Sequence, residues 1–264
     1  MQDLSDITAP LFVPGNKPER FSKAVASGAD AVILDLEDAV EPEEKDRARS
    51  LVTTDFTDRP VIVRINGSDT PWHAADLAAM RRLRPSAVML PKAEDPSVLT
   101  HIAEVLGQST PLLALIETAR GIANARELAA HPSVARLVFG SIDFCVDMGC
   151  SHTRLALQPP RFELVLASRL AGCLAPIDGV TSNIADPKVT HDDALHAREL
   201  GLTAKLCIHP RQVPEVFSAF GPTAAEIAWA QEVLAAGDGA HAVAGEMVDA
   251  PVRKRALAVL KQVR

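Results

Sequence analysis

Eight short apolar runs separated by longer amphipathic stretches leave this chain few folds. The runs are Leu11–Val13, Ala31–Leu36, Val61–Ile65, Ala87–Leu90, Leu112–Ile116, Leu137–Phe139, Ile177–Val180 and Ala204–Ile208. They are nearly continuous rather than alternating with polar residues, as strands buried on both faces are. Helical patterns fill the gaps: Pro18–Ser27, Pro42–Thr53, Trp72–Leu83, Pro96–Leu106, Gly121–Ala130, Pro160–Gly172, Asp192–Leu200 and Pro210–Phe220. The first shows the usual asymmetry, with proline at its start and Gly28 past its end.

Strand and helix in strict alternation predict a parallel sheet with right-handed crossovers. A (β/α)₈ barrel takes about 250 residues, and the chain has 264. A single closed barrel over residues 1–222 is the expected fold, with an open doubly wound sheet as the alternative. No GxGxxG follows the first run, which argues against dinucleotide binding. Helices at Thr223–Ala236 and Pro251–Val263 form a C-terminal extension, residues 223–264, and Ala235–Gly245 (AAGDGAHAVAG) reads as a flexible stretch.

Composition agrees. Apolar residues at 47% and charged residues at 23% describe a globular protein, and aromatics at 4% without tyrosine suit helices on a buried sheet. A net charge of −7 without a basic run excludes nucleic acid as an expected partner. It does not exclude an anionic substrate, because local Arg and Lys can dominate a cleft. Four cysteines without CxxC spacing are expected to be reduced thiols in a cytoplasmic protein. No apolar stretch is long enough to span a membrane, and MQDLSDITAP lacks the apolar core of a secretory signal.

The chemistry is read from what ends each strand, because the C-terminal strand ends of such a barrel converge on one face. The second run ends in Asp35-Leu36-Glu37-Asp38, and the third carries Arg64 and reaches Asn66. The fourth is followed by Lys92, the fifth by Glu117-Thr118, and the sixth by Ser141 and Asp143. Asp178 stands near the start of the seventh and His209 ends the eighth. Asp38, Thr118 and Ser141 read as helix caps, Asp147 as a structural or capping group, and His209 as a buried polar residue rather than a base.

Glu117 and Asp143 end neighbouring strands, which lie about 4.8 Å apart. Two carboxylates so placed repel unless a cation sits between them. Oxygen ligands with room for water and substrate fit Mg²⁺, which can chelate and polarise a 2-oxo acid. Arg64 is a fork for a substrate carboxylate.

At these residues the sequence resembles the citrate lyase β-subunit-like family of the HpcH/HpaI aldolase superfamily. The likeness runs through LFVPGNKPERF (Leu11–Phe21), AVILDLEDAV (Ala31–Val40), VRING (Val63–Gly67), MLPK (Met89–Lys92) and IETARG (Ile116–Gly121). It continues in FGSIDFCVDMG (Phe139–Gly149), IDGV (Ile177–Val180), KLCIHPRQV (Lys205–Val213) and GEMVDAPV (Gly245–Val252). The resemblance implies Mg²⁺ held by Glu117 and Asp143 and a carboxylate-binding Arg64. It also implies that Asp249 reaches into a neighbouring subunit's site and moves a proton at the acyl-thioester carbon. A homotrimer or hexamer is implied, with the extension packed on a neighbouring subunit.

The implied reaction is Mg²⁺-dependent carbon–carbon cleavage or formation. It joins a 2-oxo acid (pyruvate, glyoxylate or oxaloacetate) to an acetyl thioester of CoA or acyl-carrier protein, giving citramalyl, malyl or citryl thioesters. One alternative is the β subunit of a citrate lyase complex. Another is a class II 4-hydroxy-2-oxoacid aldolase, disfavoured because Glu37-Asp38 stands where pyruvate-type aldolases carry Glu-His. A non-catalytic barrel is the third, opposed by the retained Arg64, Glu117, Asp143 and Asp249.

Overall fold

The computed structural model describes residues 4–107, 109–235, 241–243 and 246–261. The chain divides into two compact units after Phe217.

The first unit is an eight-stranded parallel sheet in sequential order: β1 (Leu11–Pro14), β2 (Val32–Asp35), β3 (Val61–Arg64), β4 (Ala87–Leu90), β5 (Leu112–Ile116), β6 (Val134–Phe139), β7 (Leu174–Asp178) and β8 (Ala204–Lys205). It closes on itself. Lys205 N–H donates to Thr8 at 2.9 Å, Cys207 N–H to Pro10 at 2.9 Å, and Phe12 N–H to Cys207 at 2.9 Å, so no edge is left open. The helices are α1 (Phe21–Ala26), α2 (Lys45–Leu51), α3 (His73–Leu83), α4 (Pro96–Leu106), α5 (Ala119–Ala123), α6 (Ala125–Ala130), α7 (Ser141–Met148), α8 (Arg154–Ala171), α9 (Pro187–Glu199) and α10 (Gln212–Phe220), the last crossing the division between units. Among the described residues no helix is long and apolar enough to cross a membrane.

The expected barrel is present, and strand parity shows how it positions a site. Ile33, Ile62, Met89, Leu115, Val138, Ile177 and Leu206 share the inner core, while their strand neighbours Leu34, Val63 and Leu90 are buried on the other face. Side chains alternate along a strand, so Asp35, Arg64, Glu117 and Gly140, each two residues past an inner-core residue, continue the inward row into the C-terminal mouth. At the opposite end Arg136 is 1% exposed and donates to the carbonyls of Ile7 (3.0 Å) and Ala175 (2.6 Å) and to Thr203 Oγ1 (2.6 Å). It ties the N-terminal segment, with Leu4 and Ile7, into the barrel floor.

Several local expectations change. The seventh strand begins at Leu174 rather than Ile177, so Asp178 ends it instead of starting it. Pro176 disguised its beginning: it lacks an N–H, yet its carbonyl still accepts from Thr203 N–H at 3.3 Å. Helix α8 starts six residues before Pro160, at Arg154, with Pro159 and Pro160 inside it and Thr153 capping it. Helix α7 had no counterpart in the sequence reading. Thr118 caps α5 as expected, accepting from Gly121 N–H at 3.0 Å, whereas the cap of α7 is Gly140 rather than Ser141. His209 is only half-buried and its ring accepts from Arg211 N–H at 3.2 Å.

The second unit, from Ser218, contains α11 (Ala224–Ala235), an antiparallel pair β9 (His241–Val243) and β10 (Glu246–Val248), and α12 (Ala250–Lys261). Ala230, Val233, Val248, Ala256 and Val259 form its core. Of Ala235–Gly245, read as flexible, residues 236–240 and 244–245 lie outside the described residues, and His241–Val243 is a strand.

Candidate active site

The inward row opens into a cavity of ≈ 370 Å³ at the C-terminal ends of the strands. Asp35, Arg64, Glu117, Ser141 and Asp143 line one part of it, and Phe12, Leu115, Val180, Leu206 and Ile208 another. The structure thus brings Arg64, Glu117 and Asp143 to one cavity.

Glu117 is the buried partner, 2% exposed. Its Oε1 accepts from Lys92 N–H at 2.8 Å, and Lys92 holds a left-handed φ of 47° to present that N–H. Gly140, directly after β6, sits against it: a Cβ there would overlap Glu117 Oε2 and lie 2.5 Å from its Cβ. Burial, and then the charge of Glu37, push the Glu117 carboxyl up to about 8, with Asp143 adding to the rise. Asp143 stands in the first turn of α7 and is exposed at the rim.

Arg64, 8% exposed, does not present a free fork. Its Nε and Nη2 close on both oxygens of Asp35, at 2.7 and 2.6 Å. Nη1 meets Glu37 at 2.9 Å and Asp38 at 3.1 Å. These carboxylates hold the guanidinium above its ordinary pKa against the opposing effect of burial. Asp38, read as a cap, is therefore an ion-pair partner. Lys45, also buried, donates to the carbonyls of Leu36 and Glu37 at 2.8 and 2.7 Å and fixes the turn that carries these acids.

Asp35 and Glu37, noted in the sequence only as charges ending the second strand and given no role, are the buried acids that hold Arg64 in the cavity. Asp35 is 1% exposed and orients the guanidinium. Burial raises the Glu37 carboxyl to about 7 despite Arg64, and its Oε2 has no hydrogen bond of good geometry. Parity would have found Asp35, two residues past Ile33. Glu37 was legible as a charge past the second strand, but its burial and its contact with Arg64 were not.

Asp178 leaves the mouth altogether. It alternates with inward Ile177 and points outward, where Arg161 of α8 and Lys205 of β8 meet it at 2.7 Å each. Asp147, as expected of a structural group, accepts from Ala119 N–H at 2.7 Å. Asp249 caps α12, accepting from Val252 N–H at 3.1 Å, and is exposed.

The donor set fits a hard divalent cation. Asp35, Glu37 and Asp38 stand around one guanidinium, and Glu117, which shares the cavity with Asp143, is buried where a bare charge is costly. Among the described residues no three His, Cys, Asp or Glu converge as a closed metal cage. Two carboxylates with open positions are what Mg²⁺ takes when water and substrate complete its shell.

The sequence and fold have close counterparts. A model of the HpcH/HpaI aldolase/citrate lyase family matches residues 9–210. The chain is 38% identical over 263 residues to a citrate lyase subunit beta-like protein of Mycobacterium tuberculosis, covering 96% of this chain and 94% of that one. It is 36% identical over 253 residues to a (3S)-malyl-CoA thioesterase of Cereibacter sphaeroides, covering 90% and 88%. Among solved structures, CitE of M. tuberculosis in complex with magnesium, acetoacetate and coenzyme A superposes with a TM-score of 0.88 at 36% identity, covering 98% and 99%. With the family model spanning residues 9–210 and relatives at 36–38% identity over nearly the whole chain, this chain belongs to the HpcH/HpaI aldolase/citrate lyase family.

Proposed function

We propose that the protein is a Mg²⁺-dependent carbon–carbon lyase that splits a 3-hydroxyacyl thioester into an acetyl thioester and a 2-oxo acid, or joins them. The observation that carries this reading is the buried Glu117 carboxyl, lining the cavity with Asp143 and raised to about 8 by burial, Glu37 and Asp143 against the opposing charge of Arg64. Glu117 and Asp143 would hold the ion. Bound there, Mg²⁺ supplies Lewis acidity toward the carboxylate and keto oxygens of a 2-oxo acid.

The chain's own groups do the rest. Arg64 lines the cavity with Asp35 across Nε and Nη2 and with Glu37 and Asp38 at Nη1, so it acts on substrate through its charge rather than as a free fork. Its positive charge faces the oxygen that becomes negative as the carbon–carbon bond breaks and the electron pair moves into the thioester. The apolar wall of Phe12, Leu115, Val180 and Leu206 excludes water from that anion. In cleavage the 3-hydroxyl releases its proton to solvent as it becomes the keto group, and Asp249, brought from a neighbouring subunit in a homotrimer or hexamer, protonates the acetyl carbon; in synthesis both transfers reverse. The extension 223–264 would pack on that neighbour. A cytoplasmic setting is supported by four free cysteines.

The test assays citramalyl-CoA, malyl-CoA, citryl-CoA and 4-hydroxy-2-oxo acids with and without Mg²⁺. The wild type is expected to cleave a CoA thioester only with the ion, and Glu117→Ala to lose that activity while staying folded. Full activity in Glu117→Ala overturns the assignment. A second reading, hydrolysis of a malyl thioester, is favoured by the 36% identity to the C. sphaeroides thioesterase. Products separate the two: malate and free CoA for hydrolysis, glyoxylate and acetyl-CoA for the lyase.

A further inference from the structure

Helix α7 ends in a Schellman motif. Gly149, at φ 63°, donates to Val146 at 3.3 Å, and Cys150 N–H donates to the Cys145 carbonyl at 3.0 Å. In this motif the residues joined by the outer bond usually make an apolar side-chain contact. Here they are two thiols. The Cys145 and Cys150 sulfurs lie 3.7 Å apart, and both cysteines are free.

A disulfide requires sulfurs about 2.05 Å apart on Cα atoms within about 4.4–6.8 Å. Two residues already joined backbone to backbone meet the second condition, and side-chain rotation meets the first. Both cysteines also wall a surface cavity of ≈ 400 Å³ with Ile142, Val146, Gly149 and His152, so reagent has a way in. We propose that Cys145 and Cys150 are a reversible dithiol–disulfide site that exchanges with low-molecular-weight disulfides, on the helix that also carries Asp143.

Exposure sets the order of the exchange. Cys150 is half-buried and Cys145 only 8% exposed. The Cys150 thiolate attacks one sulfur of the small disulfide, breaking its S–S bond and releasing one thiolate. The Cys145 thiolate then attacks the Cys150 sulfur of the mixed disulfide and expels the second. One small disulfide becomes two small thiols, which take the two protein protons, and the protein pair loses two electrons. The other cysteines are internal controls: Cys207 is fully buried, and the Cys173 thiol turns to the carbonyls of Ser168 and Leu174 at 3.8 and 3.7 Å.

The test incubates the full-length protein with oxidised glutathione, alkylates the remaining thiols and measures intact and peptide masses. The wild type is expected to lose the Cys145 and Cys150 thiols, to carry a 145–150 cross-link without bound glutathione, and to recover both thiols in dithiothreitol. Cys145→Ser is expected to retain glutathione on Cys150, and Cys150→Ser to stay unmodified at Cys145. A wild type that keeps both thiols, or holds a stable glutathione adduct on Cys150, overturns the proposal. So does Cys145→Ser that fails to trap the adduct.

Discussion

Gly140→Ala adds one methyl group where the inward row of β6 meets Glu117, and the structure sets the size of the effect. The new Cβ would stand 2.5 Å from the Glu117 Cβ and overlap Oε2. Carbon atoms settle at about 3.5–4 Å, so Glu117 must withdraw by roughly 1 Å. The φ of −90° at residue 140 suits alanine, so the effect is steric rather than conformational. Overpacking of this kind costs about 1–3 kcal/mol, or about 2–4 °C of melting temperature per kcal/mol in a unit this large. Misplacing a catalytic group by about 1 Å costs on the order of 100-fold in rate. Calorimetric titration with Mg²⁺, thioester cleavage and thermal melting read the three effects separately. A variant that melts lower but binds Mg²⁺ and turns over as the wild type does would refute the role given to Glu117. Unchanged melting would refute the packing itself.

The pH dependence of stability provides another check. Glu117 and Glu37 are raised from 4.5 to about 8 and about 7, so without metal the folded chain holds protons that the unfolded chain has released. Stability from these groups is fully present below about pH 4.5 and is lost as pH rises through about 7–8. Thermal melting in chelator is expected to fall across that window and to flatten in Glu117→Gln; an equally steep fall in that variant would count against the linkage. On the outer face, Asp178→Asn leaves Lys205 and Arg161 buried without their shared counter-charge. A loss of about 3–5 kcal/mol in urea unfolding is expected, and a shift below about 1 kcal/mol would show that the cluster relaxes without it.

Most of the barrel could be read from local pattern. Buried parallel strands are continuous apolar runs, and all eight began within three residues of the expected place. The start of β7 was hidden by Pro176, whose missing donor reads as a strand breaker although its carbonyl still pairs. Helix α7 escaped because its eight residues are too few for a clear period, and its C-terminal signal is the geometry at Gly149. That Glu117 and Asp143 reach one cavity was legible because each follows a strand closely. The state of Arg64 was not, because its partners Asp35, Glu37 and Asp38 lie 29, 27 and 26 residues earlier in the chain.

The sequence by itself determined the order and number of the β-α units, the family motifs, and which charged residues end strands, because these depend on neighbours within a few residues. Only the tertiary structure decided which way those charges point. Parity at the closed barrel sent Asp35, Arg64 and Glu117 inward and Asp178 outward to Arg161. A side chain's burial and partners, and with them its protonation, are set by residues that meet only once the sheet has closed.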